Sequence, residues 1–356
     1  MSTGLVTTTR VTHATPAALY AHSAHSDCEM DTKMPKRTRC KDITWQLVEE
    51  EPGRNVILGG GLAYFKDKQR GGGKRSDGLD LVDLWKKDKK NRKFVGSREE
   101  LLAIDTKKTD YLLDEFSLNK ALTGIFKCCI VLLLRCLFSG DHVLYEDYRQ
   151  DKQPSLLYMV VTAIEILQKR GNGFALMVEG GRIDHGHHEN RAALALRETS
   201  EFSDAVAAAL ELVDVRETLV LVTADHSHSF TMNGYPARGN PILGFAGISE
   251  KDGLPYTTLS YANGPSTTKR KADVNTEAVD YQQVSAVPLR LETHAGEDVA
   301  LYAIGPMAHM VHGVLEQHIV AHLVDYAACL GDGARLRSRC QEQRAFCGSD
   351  GGRIPR

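Results

Sequence analysis

The densest run of chemistry-bearing side chains is Glu179-Gly180-Gly181-Arg182-Ile183-Asp184-His185-Gly186-His187-His188, which holds two carboxylates and three imidazoles. Carboxylate oxygens and neutral imidazole nitrogens are good donors to Zn²⁺, and Asp184 and His188 converge on one ion if a helix starts between them. The segment directly follows the apolar run FALMV at 174–178, and open α/β sheets place their sites just beyond the C-terminal ends of strands. The alternative is a polar loop leading into a histidine-rich helix start. A second apolar run, LVLVT at 219–223, ends in Ala224-Asp225-His226-Ser227-His228, which alone reads equally well as a solvated turn. A third cluster, Glu292-Thr293-His294-Ala295-Gly296-Glu297-Asp298, precedes VALYAI at 299–304; a lone histidine there is more often structural. Taken together, two strand ends that each offer acid plus imidazole suggest a two-metal site.

The elements that must position these groups are legible in the hydrophobic pattern. Short β-branched runs at 5–9, 56–58, 174–178, 219–223 and 299–304 predict strands, and apolar residues at three- and four-residue spacing predict helices over 156–169, 189–213 and 314–329. Strands alternating with helices predict an α/β fold with a largely parallel sheet. Residues 66–78 form a polar, Gly-rich loop. It resembles a phosphate loop only superficially, because Lys74 is followed by Arg75 rather than Ser or Thr. Residues 229–289 are turn-rich and read as an excursion from the sheet. The apolar stretch 125–138 is expected to lie outside the sheet as a helix or surface loop.

Composition narrows the class further. Over 356 residues, 44 basic and 46 acidic side chains nearly cancel, which gives no footprint for nucleic acid. The run KKDKKNRK at 86–93 reads as a solvated face. No charged-then-apolar leader opens the sequence, the apolar stretch 125–138 is short of the roughly 20 residues a spanning helix needs, and the polar end GSDGGRIPR carries no lipid-anchor signal. Eight cysteines show no CxxC spacing. Cys329 and Cys340 could pair in an oxidising compartment, or all eight could stay free. No Asn-x-Ser/Thr site occurs.

The strings VEGGRIDHGHHENR, VTADHSHSF, ETHAGEDVALYAIGP, VTTTRVTHATPAALYAH and ILGGG are similar, in order, to motifs of the animal alkaline phosphatases. That resemblance implies a three-layer α/β sandwich, a central mostly parallel sheet flanked by helices, over residues 1–330. It also implies a small crown-like insert at 229–289 and a polar tail at 331–356. It implies that Asp184, His188 and His294 bind one zinc and that Asp225 and His226 bind a second. Glu179 and Thr15 then belong to a magnesium site, with His13 beside it. The family activity is phosphomonoester hydrolysis through a serine that becomes phosphorylated between the two zinc ions. The family is homodimeric and is secreted or anchored at the cell surface.

Several positions depart from the family pattern. The family's nucleophilic serine lies in an Asp-Ser-Ala motif upstream of the VTTTR strand, with an aspartate that bridges zinc and magnesium. The sequence contains no Asp-Ser-Ala, so the resemblance implies an incomplete chain whose catalytic competence is doubtful. Ser26 stands where the family's phosphate-clamping arginine belongs, and a serine supplies no charged fork. Cys28 replaces an aromatic residue, and Cys40 lacks the upstream cysteine that it pairs with in the family. Gln69, Lys74 and Ser139 argue against the family's calcium site. Residues 114–136 match nothing in the family and are expected to be a non-family insertion. The competing expectations are a non-catalytic metal-binding relative, a truncated gene model, or a sulfatase-like enzyme; the ETHAGED string speaks against the last.

Overall fold

In this computed structural model of the chain, the described residues are 1–50, 55–87, 93–106, 136–137, 139–149, 153–169, 171, 173–266 and 269–328. The main sheet is parallel throughout. Its strands are β1 (Ser2–Arg10), β2 (Val56–Gly60), β3 (Cys136–Leu137) and β4 (Phe174–Glu179), in the order β3-β2-β1-β4. In β1, Leu5, Val6, Thr7, Thr8 and Thr9 are all buried, so apolar and threonine side chains occupy both faces without the alternation of a half-wet strand. Threonine suits this position because its β-branch favours extended backbone while its hydroxyl can reach a partner at the strand end.

The remaining strands are short. They are β5 (Val220–Thr223), β6 (Ser227–His228), β7 (Phe230–Met232), β8 (Phe245–Ile248), β9 (Pro255–Thr257), β10 (Leu259–Gly264), β11 (Ser285–Pro288), β12 (His294–Ala295) and β13 (Leu301–Ile304). The sequence puts β5 and β13 in one sheet with β1, β2 and β4. Instead they pair with each other, antiparallel, as a separate two-stranded ladder. Both strands are half exposed along their length, which an antiparallel pair tolerates on one face. Apolar periodicity identifies a strand but says nothing about its partner. A second short ladder, β6 with β12, places His228 opposite His294.

The helices used below are α1 (Ala14–Ala18), α2 (Glu146–Arg149), α3 (Leu156–Gln168), α4 (Arg182–His188), α5 (Ala192–Leu212) and α6 (Ile319–Ala328). Ser155 caps α3, its hydroxyl accepting from the Tyr158 amide at 3.3 Å. The helix then buries Leu156, Met159, Val160, Ala163, Ile164 and Leu167 on one stripe. That stripe joins Leu5 and Val6 of β1 and Ala205 and Ala209 of α5 in the principal core. A much smaller core gathers Ala175, Leu219 and Ala327 between β4, the start of β5 and α6.

Residues 114–135 of the expected insertion lie outside the described residues, as do the 331–356 tail and the Cys329–Cys340 pair. The end of the apolar stretch does not lie outside the sheet. Cys136 and Leu137 form β3, in register with Leu58 and Gly59 of β2. The edge of β2 carries backbone N–H and C=O groups that require partners, and this short segment supplies them.

Candidate metal centre

Two glycines within the first motif are needed for close approach. A Cβ on Gly181 would stand 2.4 Å from Cγ2 of Thr9, and one on Gly186 would stand 2.8 Å from the Ala195 amide nitrogen. The first lets the chain turn off β4 across β1 directly into α4, and the second lets α4 lie against α5. Asp184 and His188 are then one turn apart on α4, with His188 Nε2 3.3 Å from Asp184 Oδ2.

The same carboxylate oxygen is approached from two more elements. His228 Nε2 on β6 is 3.1 Å away, His294 Nε2 on β12 is 3.3 Å away, and His226 Nε2 is 3.9 Å away. The His226 and His294 rings stack at 3.5 Å between centroids, and His294 Nε2 lies 3.2 Å from His188 Nε2. Asp225 is 71% exposed and meets His226 Nε2 at 3.3 Å. The residues expected to bind the first zinc, Asp184, His188 and His294, are thus drawn together, with Asp225 and His226 beside them.

This donor set fits a divalent ion. Asp184 Oδ2 and His228 Nε2 are both buried, and neither has a hydrogen-bond partner. An acceptor oxygen ringed by imidazole nitrogens at little over 3 Å needs a positive charge in its midst. Asp184, His226, His228 and His294 each present a donor atom, all mutually within 4.8 Å. Protons can also carry that charge. Burial opposes ionisation of Asp184, but its contacts with His188 and His228 outweigh it and hold the carboxyl far below its usual range. Contact with Asp184 raises the His188 pKa against the effect of burial. Burial lowers His228, but Asp184 and Glu292 on either side lift it to about 9.

The Glu179 carboxylate accepts from Thr7 Oγ1 at 2.5 Å and Thr9 Oγ1 at 3.1 Å, and Thr15 is half-buried on α1. His13 stands with His142 and His185 in a three-imidazole cluster, with ring centroids 4.3–5.4 Å apart. Both nitrogens of His142 face N–H donors of Arg10, and His185 Nδ1 accepts from Arg182 Nη1 at 2.8 Å. The His142 ring and the His185 Nδ1 thus already face arginine N–H groups. His187 turns away from Asp184, its Nδ1 2.9 Å from the Tyr261 hydroxyl, and burial pushes its pKa down to about 4. Ser26 is exposed.

Sequence reasoning assigned no role to His228, Glu292, Thr7, Thr9 or His142. For His228 a signal existed, because residues two apart on extended chain share a face and His226 was already a candidate.

The alkaline phosphatase family model matches residues 1–330. The chain is 46% identical over 351 residues to the tissue-nonspecific alkaline phosphatase isozyme of Gallus gallus, an alignment covering 92% of this chain and 64% of the relative. It is also 46% identical over 354 residues to the same isozyme of Homo sapiens, covering 93% of this chain and 63% of the relative. The chain therefore spans just under two thirds of the length of these relatives. In fold it is similar to the alkaline phosphatase from the Antarctic bacterium TAB5, with a TM-score of 0.56 at 21% identity, covering 93% of this chain and 73% of that one. A motif order legible in the sequence, a carboxylate ringed by imidazoles at its centre and a family match across nearly the whole chain agree: this chain belongs to the alkaline phosphatase family.

Proposed function

We propose that this chain forms the metal-holding part of a phosphomonoester hydrolase. The observation that carries the reading is the buried Asp184 Oδ2, without a hydrogen-bond partner and ringed by the Nε2 atoms of His188, His228, His294 and His226. On this reading Asp184, His188 and His294 hold one zinc, Asp225 and His226 hold a second, and Glu179 with Thr15 serves magnesium, with His13 nearby. Such ions supply Lewis acidity toward phosphoryl oxygens. The chain's own residues keep Asp184 ionised, aim the imidazoles and exclude water on the His228 side. Ser26 offers no charged fork to a phosphate, so the chain's own hold on substrate is weak. The finer family features, a three-layer sandwich, a crown-like 229–289 insert, a homodimer and a cell-surface or secreted location, belong to the same reading.

Chelator competition with zinc, run beside hydrolysis of p-nitrophenyl phosphate, tests this. Zinc is expected to bind the 356-residue chain and to be lost in Asp184→Ala, with turnover no higher than background. A chain that binds no zinc overturns the metal reading. Zinc-dependent turnover that disappears in an Asp225→Ala, His226→Ala double variant overturns the expectation of background activity.

A further inference from the structure

One residue behind the cleft governs two of its imidazoles. The Glu292 side chain is fully buried, at 0% exposure. Its Oε1 accepts from the Ser229 amide at 2.6 Å and the Ser229 hydroxyl at 2.8 Å, and its Oε2 lies 2.7 Å from His228 Nδ1. The backbone carbonyl of the same residue lies 2.5 Å from His188 Nδ1, and its amide donates to the His188 carbonyl at 2.9 Å. A carboxylate and a carbonyl only accept hydrogen bonds. Each must therefore face an Nδ1–H. The Asp184 carboxylate also only accepts, but its Oδ2 makes no hydrogen bond to either Nε2, so in a neutral imidazole the closer Nδ1 contacts hold the proton and leave the lone pair on Nε2.

We propose that Glu292 is a positioning residue that fixes His228, through its carboxylate, and His188, through its carbonyl, in the tautomer whose Nε2 lone pair faces Asp184. The proposal rests on the metal reading above for its consequence, but not for its geometry. Both Nε2 atoms converge on Asp184 Oδ2, at 3.1 and 3.3 Å. A metal-facing imidazole is commonly oriented by a carboxylate or carbonyl on its other nitrogen, and removing such a partner costs about 10–100-fold in metal affinity.

The substitution Glu292→Gln is informative because it conserves shape. The amide has one accepting oxygen for two demands, the Ser229 amide N–H and the His228 Nδ1–H. If the oxygen stays with Ser229, the NH₂ faces Nδ1 and His228 must move its proton to Nε2, which blocks the lone pair. His188 answers to the backbone carbonyl and should not change. The test is imidazole ¹⁵N NMR on the metal-free full chain at pH 10, where the rings are neutral, paired with zinc affinity by chelator competition at pH 8. In the wild type both rings should be Nδ1–H. In E292Q His228 should shift toward Nε2–H while His188 stays, and zinc should bind 10–100-fold more weakly. A wild-type His228 protonated on Nε2 overturns the proposal even if E292Q does not fold. So does an E292Q chain with unchanged tautomers and unchanged zinc affinity. If the wild type shows the expected tautomers but binds no zinc, the metal reading fails while the positioning role stands.

Discussion

At the scale of single residues, the site is organised around one oxygen. Asp184 Oδ2 gathers imidazoles from α4, β6 and β12, and without an ion the cluster must hold protons in the same space. His228 keeps its proton up to about pH 9, and that charge beside Asp184 opposes a zinc ion until it is lost. Apparent zinc affinity should therefore rise with pH by up to about tenfold per unit below pH 9 and then level off, with protons released on binding. Titrations at pH 6, 7, 8 and 9 in a proton-release assay check this, and a flat profile would count against it. A different residue anchors the Gly-rich loop that superficially resembles a phosphate loop. Arg75 is 1% exposed, with Nη2 2.9 Å from Asp42 Oδ2 and 2.5 Å from Asp77 Oδ2. Its charge is consumed internally, which removes it as a phosphate ligand. Arg75→Ala leaves Asp42 buried and uncompensated, and urea unfolding should show a loss of about 3–5 kcal/mol.

At the scale of elements, the β4–α4 junction and the half-buried Glu201 of α5 each carry a prediction. Gly181→Ala drives a methyl group to 2.4 Å from Thr9 Cγ2 and 3.0 Å from Glu179 Cδ. It should cost roughly 1–3 kcal/mol as overpacking and should lower zinc affinity as well, because α4 carries both Asp184 and His188. Calorimetry and zinc competition on the same variant would separate the two effects. On α5, Glu201 is raised to about 7 by burial first and then by Glu146, against the opposing pull of Arg149. Its pKa lies above the unfolded value, so the folded state holds a proton that the unfolded chain has released. The stability it contributes is present below about pH 4.5 and is lost as pH rises through about 7. The Glu201→Gln variant should lack that falling limb. After allowance for solvent screening the difference should be on the order of 1 kcal/mol at pH 8. Denaturation curves at pH 5 and 8 that shift in parallel for both proteins would refute it.

At the scale of the whole molecule, stability is unevenly distributed. The parallel sheet, α3 and α5 share the principal core, whereas β5 and α6 rest on a core whose fully buried members are Ala175, Leu219 and Ala327. On β13, Tyr302 and Ile304 are 68% and 46% exposed. Amide exchange should accordingly be fastest in β5, β13 and α6 and slowest in β1 and α3. Equal protection in both regions would argue that they unfold as one unit. Among the described residues no helix is long and apolar enough to cross a membrane.

The sequence by itself determined the strands at 5–9, 56–58 and 174–178, the helices over 156–169 and 189–213, and the chemical character of the motifs. These are local properties, set by apolar spacing and by the donor atoms that Asp and His carry wherever they sit. It also brought Asp184 and His188 together, because four residues along a helix return to one face. What it could not determine was anything carried by pairing between distant strands. That β5 joins β13 rather than the parallel sheet, and that Cys136–Leu137 completes the edge of β2, follows from which backbone edges lacked partners. His228 meets His294 through the β6–β12 register, and Glu179 meets Thr7 and Thr9 because β1 and β4 are neighbours. Only the tertiary structure chose which imidazoles share Asp184 and which, like those of His185 and His142, are held by arginine. That choice depends on orientation in space, which no local pattern of residue types encodes.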